Sequence, residues 1–118
     1  ADIISFHCKP NNDGFSVITS KELNLMKKNA FIINTARGNL VSEVDLCEAI
    51  KANKIGGAAI DVFETEPATN NVLFGLENVL LTPHIAASTS EAQIIVAEMV
   101  ANQFVEYFLN NRVINEVT

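Results

Sequence analysis

Five side chains in this sequence, Arg37, Asp61, Glu64, Glu66 and His84, are of the types that could move a proton beside an anion. An imidazole exchanges protons near neutral pH, which suits His84 to general acid/base work. Pro83 precedes it and the small-residue stretch Ile85-Ala86-Ala87-Ser88 follows, so another group can come close to the backbone there. Without a partner, such a histidine reads better as a cap on loop backbone groups. A carboxylate changes that balance: Glu64 or Glu66 could accept a hydrogen bond from the ring and favour its protonated form. Arg37 could grip a carboxylate or phosphate through two parallel hydrogen bonds; the alternative is a surface arginine bonded to loop carbonyls. Cys8 reads as a small packing residue, because no histidine follows at a dyad spacing, and His7 as a structural residue at the end of a strand.

These residues need elements that bring them together, and the hydrophobic pattern supplies candidates. Residues 2–7, 31–33, 57–62 and 79–81 are short apolar runs that read as strands, and residues 10–14 and 64–78 have loop composition. Thr19-x-x-Glu22 is a capping box that predicts a helix of about ten residues, closing near Lys27, Lys28 and Asn29. Ser42-x-x-Asp45 predicts a second helix, with Val44, Leu46, Cys47 and Ile50 at helical spacing up to Asn53-Lys54. Ser88-x-x-Glu91 predicts a third, of about twenty residues or roughly 30 Å, in which Ile95, Met99, Phe104 and Phe108 are spaced as a core face.

The order β-α-β-α-β-loop-β-α, with strands apolar throughout, predicts an α/β domain: a Rossmann-like parallel sheet with helices on both faces. Ligands bind outside the carboxyl ends of the strands in such sheets. His7-Cys8, Thr35-Ala36-Arg37-Gly38, Asp61 and Thr82-Pro83-His84 all follow a predicted strand, so they share one edge.

The chain has 118 residues, 48% of them hydrophobic, and a formal charge of −6 from 8 Lys+Arg and 14 Asp+Glu. That composition describes one globular domain and excludes a disordered chain. Only Lys27-Lys28 forms a basic pair, so nucleic acid is not an expected partner. No apolar run approaches the roughly 18 residues that span a bilayer, and no membrane association is expected. Cys8 and Cys47 are far apart, with no CxxC and no histidine pair at metal-ligand spacing, which suggests reduced thiols in a cytoplasmic protein without a metal site.

Three ordered strings go further: Asn34-Thr-Ala-Arg-Gly38 with Leu40-Val-Ser-Glu43, then Gly57-Ala-Ala-Ile-Asp-Val-Phe-Glu-Thr-Glu-Pro67, then Thr82-Pro-His-Ile-Ala-Ala-Ser-Thr89. Together they resemble the D-isomer-specific 2-hydroxyacid dehydrogenases over nearly the whole chain. The resemblance implies an NAD-dependent oxidoreductase acting on a small 2-hydroxy or 2-oxo acid, and a homo-oligomer in the full-length protein. It also implies roles by position. Arg37 would bind the substrate carboxylate, His84 would exchange the hydroxyl proton, and Glu66, the Glu before Pro, would pair with His84. Asp61 would contact the nicotinamide end of the cofactor; Thr35, Ala36 and Ala86, with Arg37 and His84, would line its pocket; His7 and Cys8 would lie beside the adenosine portion.

The family's G-x-G-x-x-G fingerprint cannot be assembled from the five glycines, Gly14, Gly38, Gly56, Gly57 and Gly75. Residues 1–118 are therefore expected to be the C-terminal portion of an NAD-binding domain, without the pyrophosphate loop and the substrate domain, and poorly stable or self-associating alone. Two departures stand out: His7-Cys-Lys-Pro10 in place of His-x-Pro, and Ala86 where many members carry Gly. An NADH-sensing binding protein on the same fold, or an inactive fragment, would retain the same motifs.

Overall fold

The computed structural model describes residues 1–12 and 14–116; Asp13, in the predicted 10–14 loop, lies outside them. The chain divides into two compact units, Ala1–His84 and Ile85–Thr118, where the composition suggested one.

In the first unit four strands, β1 (Ile3–Phe6), β2 (Phe31–Asn34), β3 (Gly57–Ile60) and β4 (Val79–Leu81), form a parallel sheet in the order β1-β2-β3-β4. Phe6, Asn34, Ile60 and Leu81 are aligned partners across it, so the residues after all four strands emerge along one edge. Helix α2 (Glu43–Lys51) begins at Ser42, whose hydroxyl accepts from the Asp45 amide (3.3 Å), and buries Leu46, Cys47, Ala49 and Ile50. Val44, expected on that face, is 58% exposed.

Helix α1 is Ser20–Leu23, four residues and not about ten. Its capping box is intact, with Thr19 and Glu22 bonded reciprocally. The helix stops because the next amides bond three residues back, Leu25 to Glu22 and Met26 to Leu23, and Leu25 points into solvent at 82% exposure. Met26 still packs against the core, but from a turn, and the segment runs back toward β2 with Ala30 buried.

Leu23, Phe6, Ile32, Ala58, Ile60, Leu46 and Ile50 belong to one buried cluster, so α1 and α2 cover the same face of the sheet. The other face carries Ile3, Phe31 and Leu80 exposed. Helix cover was expected on both faces, and in this unit it is found on one. The cause is topological: strands that advance steadily in one direction, joined by right-handed crossovers, receive their helices on one side, and cover on both sides requires the order to reverse.

The second unit is α3 (Ser90–Asn110) with short flanks. Its N-cap is Thr89, whose hydroxyl accepts from the Ala92 amide, one residue later than the expected Ser88. None of its residues is buried: Ile95, Met99, Phe104 and Phe108 are 48–69% exposed. Their spacing does mark an apolar face, but a single helix supplies nothing to bury it against. Among the described residues no helix is long and apolar enough to cross a membrane.

The one-sided core makes a direct prediction. Ile32→Ala, at a fully buried position, is expected to cost about 2–5 kcal/mol in urea unfolding, and Leu80→Ala on the open face less than about 1 kcal/mol. Equal costs would contradict the assignment of faces.

Candidate active site

The β2 tip is built around Asn34. This residue is 1% exposed; its Oδ1 accepts from the Ala36 amide (3.2 Å) and its Nδ2 donates to the Arg37 carbonyl (2.8 Å). The turn that carries Thr35, Ala36 and Arg37 is therefore fixed by the last side chain of the strand. Arg37 is exposed, and its Nη1 donates to the Ala36 carbonyl at 2.7 Å, the loop-carbonyl alternative. Phe6, His7, Cys8, Lys9, Pro10, Thr35, Ala36 and Arg37 line one cleft of ≈ 360 Å³ at the β1 and β2 tips. Five of the residues expected to hold a cofactor thus share one surface. His7 accepts or donates at Nε2 with the Ser5 hydroxyl (2.9 Å), and Cys8 is an exposed free thiol.

Gly38 follows Arg37 because nothing larger fits. A Cβ there would overlap the backbone carbonyl of Phe63 and crowd the Glu64 amide. The loop leaving β3 is thereby pressed against the Arg37 turn, and it is anchored again at α2. Glu43 accepts from the Glu64 amide (2.8 Å) and from Asn71 Nδ2 (2.7 Å). The Glu43 amide in turn lies 3.4 Å from the Glu64 carboxylate, so Glu64 serves the start of α2.

Glu66 is left as the partner of His84. Glu66 Oε2 lies 2.7 Å from His84 Nδ1, and Oε1 accepts from the Phe63 amide at 3.0 Å. The imidazole bond first, and the Phe63 amide second, hold the Glu66 carboxyl below its ordinary value against a weaker opposing effect of desolvation. His84 itself has φ 55, a left-handed conformation that costs a non-glycine residue about 1 to 3 kcal/mol. The pair borders a cleft of ≈ 550 Å³ lined by Phe63, Pro67, Phe74, Leu81 and Pro83. Asp61 is 2% exposed and accepts from the Thr82 hydroxyl at 2.5 Å, a bond that ties the tips of β3 and β4. Ala86 belongs to the second unit, in the exposed turn before α3.

Asn34, the Phe63 amide and Gly38 had no assigned part in the sequence reading. An Asn at a strand end with the chain turning two residues later is the signal for a side-chain-bonded turn. The contact of Gly38 with Phe63 and Glu64 is tertiary and leaves no local pattern.

A nicotinamide dinucleotide lies across the carboxyl edge of a parallel sheet. The residues present fit one flank of it: an open cleft with both polar and apolar walls at the β1 and β2 tips. A carboxyl depressed in the folded state adds stability above its unfolded pKa and loses it as pH falls through the depressed value. The Glu66–His84 bond is thus expected to contribute at neutral pH and to vanish on acidification below the ordinary glutamate range. In His84→Gly, which also tolerates φ 55, the Glu66 carboxyl should titrate higher than in the parent, since the larger of the two bonds that lower it is gone and the Phe63 amide remains. Carbon-13 NMR of the side-chain carboxyl reads this, and an unmoved midpoint would show that the imidazole does not bond the carboxylate.

Comparison with known proteins bears on this geometry. The family model described as D-isomer specific 2-hydroxyacid dehydrogenase, NAD binding domain, matches residues 1–86. A glyoxylate reductase of Thermococcus litoralis is 45% identical over 107 residues, 91% of this chain and 32% of that protein. A D-3-phosphoglycerate dehydrogenase of Escherichia coli (strain K12) is 40% identical over 122 residues, 99% of this chain and 30% of that protein. Among solved structures, an acyclic imino acid reductase in complex with NADPH and D-arginine superposes with a TM-score of 0.83 at 36% identity, covering 100% of this chain and 38% of that one. The chain thus spans about a third of the length of these two curated relatives. With a parallel α/β sheet, these relatives and residues 1–86 matching its NAD binding domain, the chain belongs to the D-isomer specific 2-hydroxyacid dehydrogenase family.

Proposed function

We propose that this chain contributes the proton-transfer and carboxylate-binding side of an NAD-dependent oxidoreductase that interconverts a D-2-hydroxy acid and its 2-oxo acid. The observation that carries this reading is the 2.7 Å bond between His84 Nδ1 and Glu66 Oε2, with Glu66 held on its other oxygen by the Phe63 amide. A carboxylate fixed in this way orients the imidazole and sets which ring nitrogen is left for the substrate. Nδ1 is then engaged, and His84 Nε2 takes the substrate's hydroxyl proton in oxidation and returns it in reduction.

When bound, NAD serves as acceptor or donor of the hydride. Arg37 presents a planar fork of donors to the substrate carboxylate, with one edge tethered to the Ala36 carbonyl. Thr35, Ala36 and Asp61 would line the nicotinamide side, and His7 and Cys8 the adenosine side. The barrier is lowered by orientation and by charge placed at the substrate oxygen, which Arg37 and His84 together provide.

For the substrate we favour D-3-phosphoglycerate, the entry to serine synthesis in the cytoplasm. Support comes from the string Ser88-Thr89-x-Glu91-Ala92-Gln93 and from the Escherichia coli relative, which aligns over 99% of the chain. Glyoxylate is the competing acid, from the name of the Thermococcus litoralis relative. The test is NADH formation or consumption by the complete protein with D-3-phosphoglycerate, glyoxylate and a panel of D-2-hydroxy acids. Arg37→Ala and His84→Ala are each expected to lower turnover by at least about 100-fold while NADH still binds. NADH binding without turnover of any acid would overturn the enzymatic reading, and preference for glyoxylate would overturn the substrate.

A further inference from the structure

We infer that Asn34 is a positioning residue for Arg37, setting the direction from which the guanidinium meets the substrate carboxylate; this rests on the role proposed above for Arg37. Asn34 is the last residue of β2 and lies on the core side of the sheet, among aligned partners Phe6 and Ile60. At 1% exposure an apolar side chain would suit the core better, since burying an amide is unfavourable unless its hydrogen bonds are made. Its amide makes them with the turn that carries Arg37: Oδ1 with the Ala36 amide and Nδ2 with the Arg37 carbonyl. The backbone carbonyl of Asn34 meanwhile accepts from the Asp61 amide (2.9 Å), so the residue is fixed to β3 while its side chain fixes the turn. Arg37 has extended backbone at φ −149, and the polypeptide enters a 3-10 turn at Gly38–Leu40 directly after it. The Arg37 carbonyl that Asn34 holds is the link between these conformations.

Asn34→Asp keeps the acceptor for the Ala36 amide and replaces the donor with an oxygen that repels the Arg37 carbonyl. Asn34→Ser retains an acceptor within reach of the Ala36 amide and loses the reach to residue 37. Both leave Arg37 charged but free to swing. In the complete protein, each variant is expected to raise KM for the hydroxy acid substrate and to lower kcat of the folded enzyme together, so that kcat/KM falls about 10- to 100-fold, because a displacement near 1 Å costs that much in a positioned contact. A purely structural role would instead lower kcat in proportion to the folded fraction, with KM unchanged.

Steady-state kinetics beside a thermal melt separate these results. A fall in kcat at constant KM, no change in either constant, or failure of both variants to fold would overturn the inference. Arg37→Ala in the same series isolates the underlying reading. If it leaves KM for the acid unchanged, Arg37 does not bind the carboxylate; if it raises KM while Asn34→Asp does not, the positioning role alone fails.

Discussion

The absence of a side chain at position 38 is the constraint on which the arrangement of the carboxyl edge depends. The Phe63–Glu64 backbone occupies the place a Cβ would take. Two loops that leave neighbouring strands are therefore held in van der Waals contact, one bearing Arg37 and the other Glu66. The Phe63 amide bonds the Glu66 carboxylate, and that carboxylate bonds His84. A chain of backbone and side-chain contacts thus runs from the Arg37 turn to the imidazole.

The parallel sheet makes such a chain possible. Strands in register deliver His7, Thr35, Asp61 and Thr82 to one edge, and short polar bonds stitch adjacent tips together, Asn34 to Asp61 through the backbone and Asp61 to Thr82 through side chains. The same topology leaves the far face of the sheet without helices in the first unit. In the second unit α3 also carries its apolar residues exposed. Both surfaces present large apolar side chains that are exposed.

Much of this was legible from residue types. The element order, the parallel class, the capping at Thr19 and Ser42, and the location of reactive residues after strands all follow from short-range rules. What was not legible depended on tertiary partners. Helix α1 is short because the amides of Leu25 and Met26 bond three residues back and the chain turns to bury Met26 and Ala30, although Thr19 starts it as expected. The face of α3 is apolar in sequence and exposed in the unit. Glu64 and Glu66 are equivalent as sequence; the contacts of Glu64 with Glu43 at the start of α2 separate them. Asn34 stood out only as the first residue of the Asn34-Thr-Ala-Arg-Gly38 string, because its two bonds depend on how the following turn closes.

The central claim is that Arg37 and the Glu66–His84 pair act on one small acid at this edge. It is tested most directly by a crystal structure of the complete protein with NADH and oxalate, an unreactive mimic of a 2-oxo acid. The account predicts the oxalate carboxylate on the Arg37 guanidinium and an oxalate oxygen about 2.6 to 3.2 Å from His84 Nε2, with the Glu66 bond at Nδ1 retained. Oxalate bound away from both residues, or His84 turned from Glu66 in the complex, would contradict it.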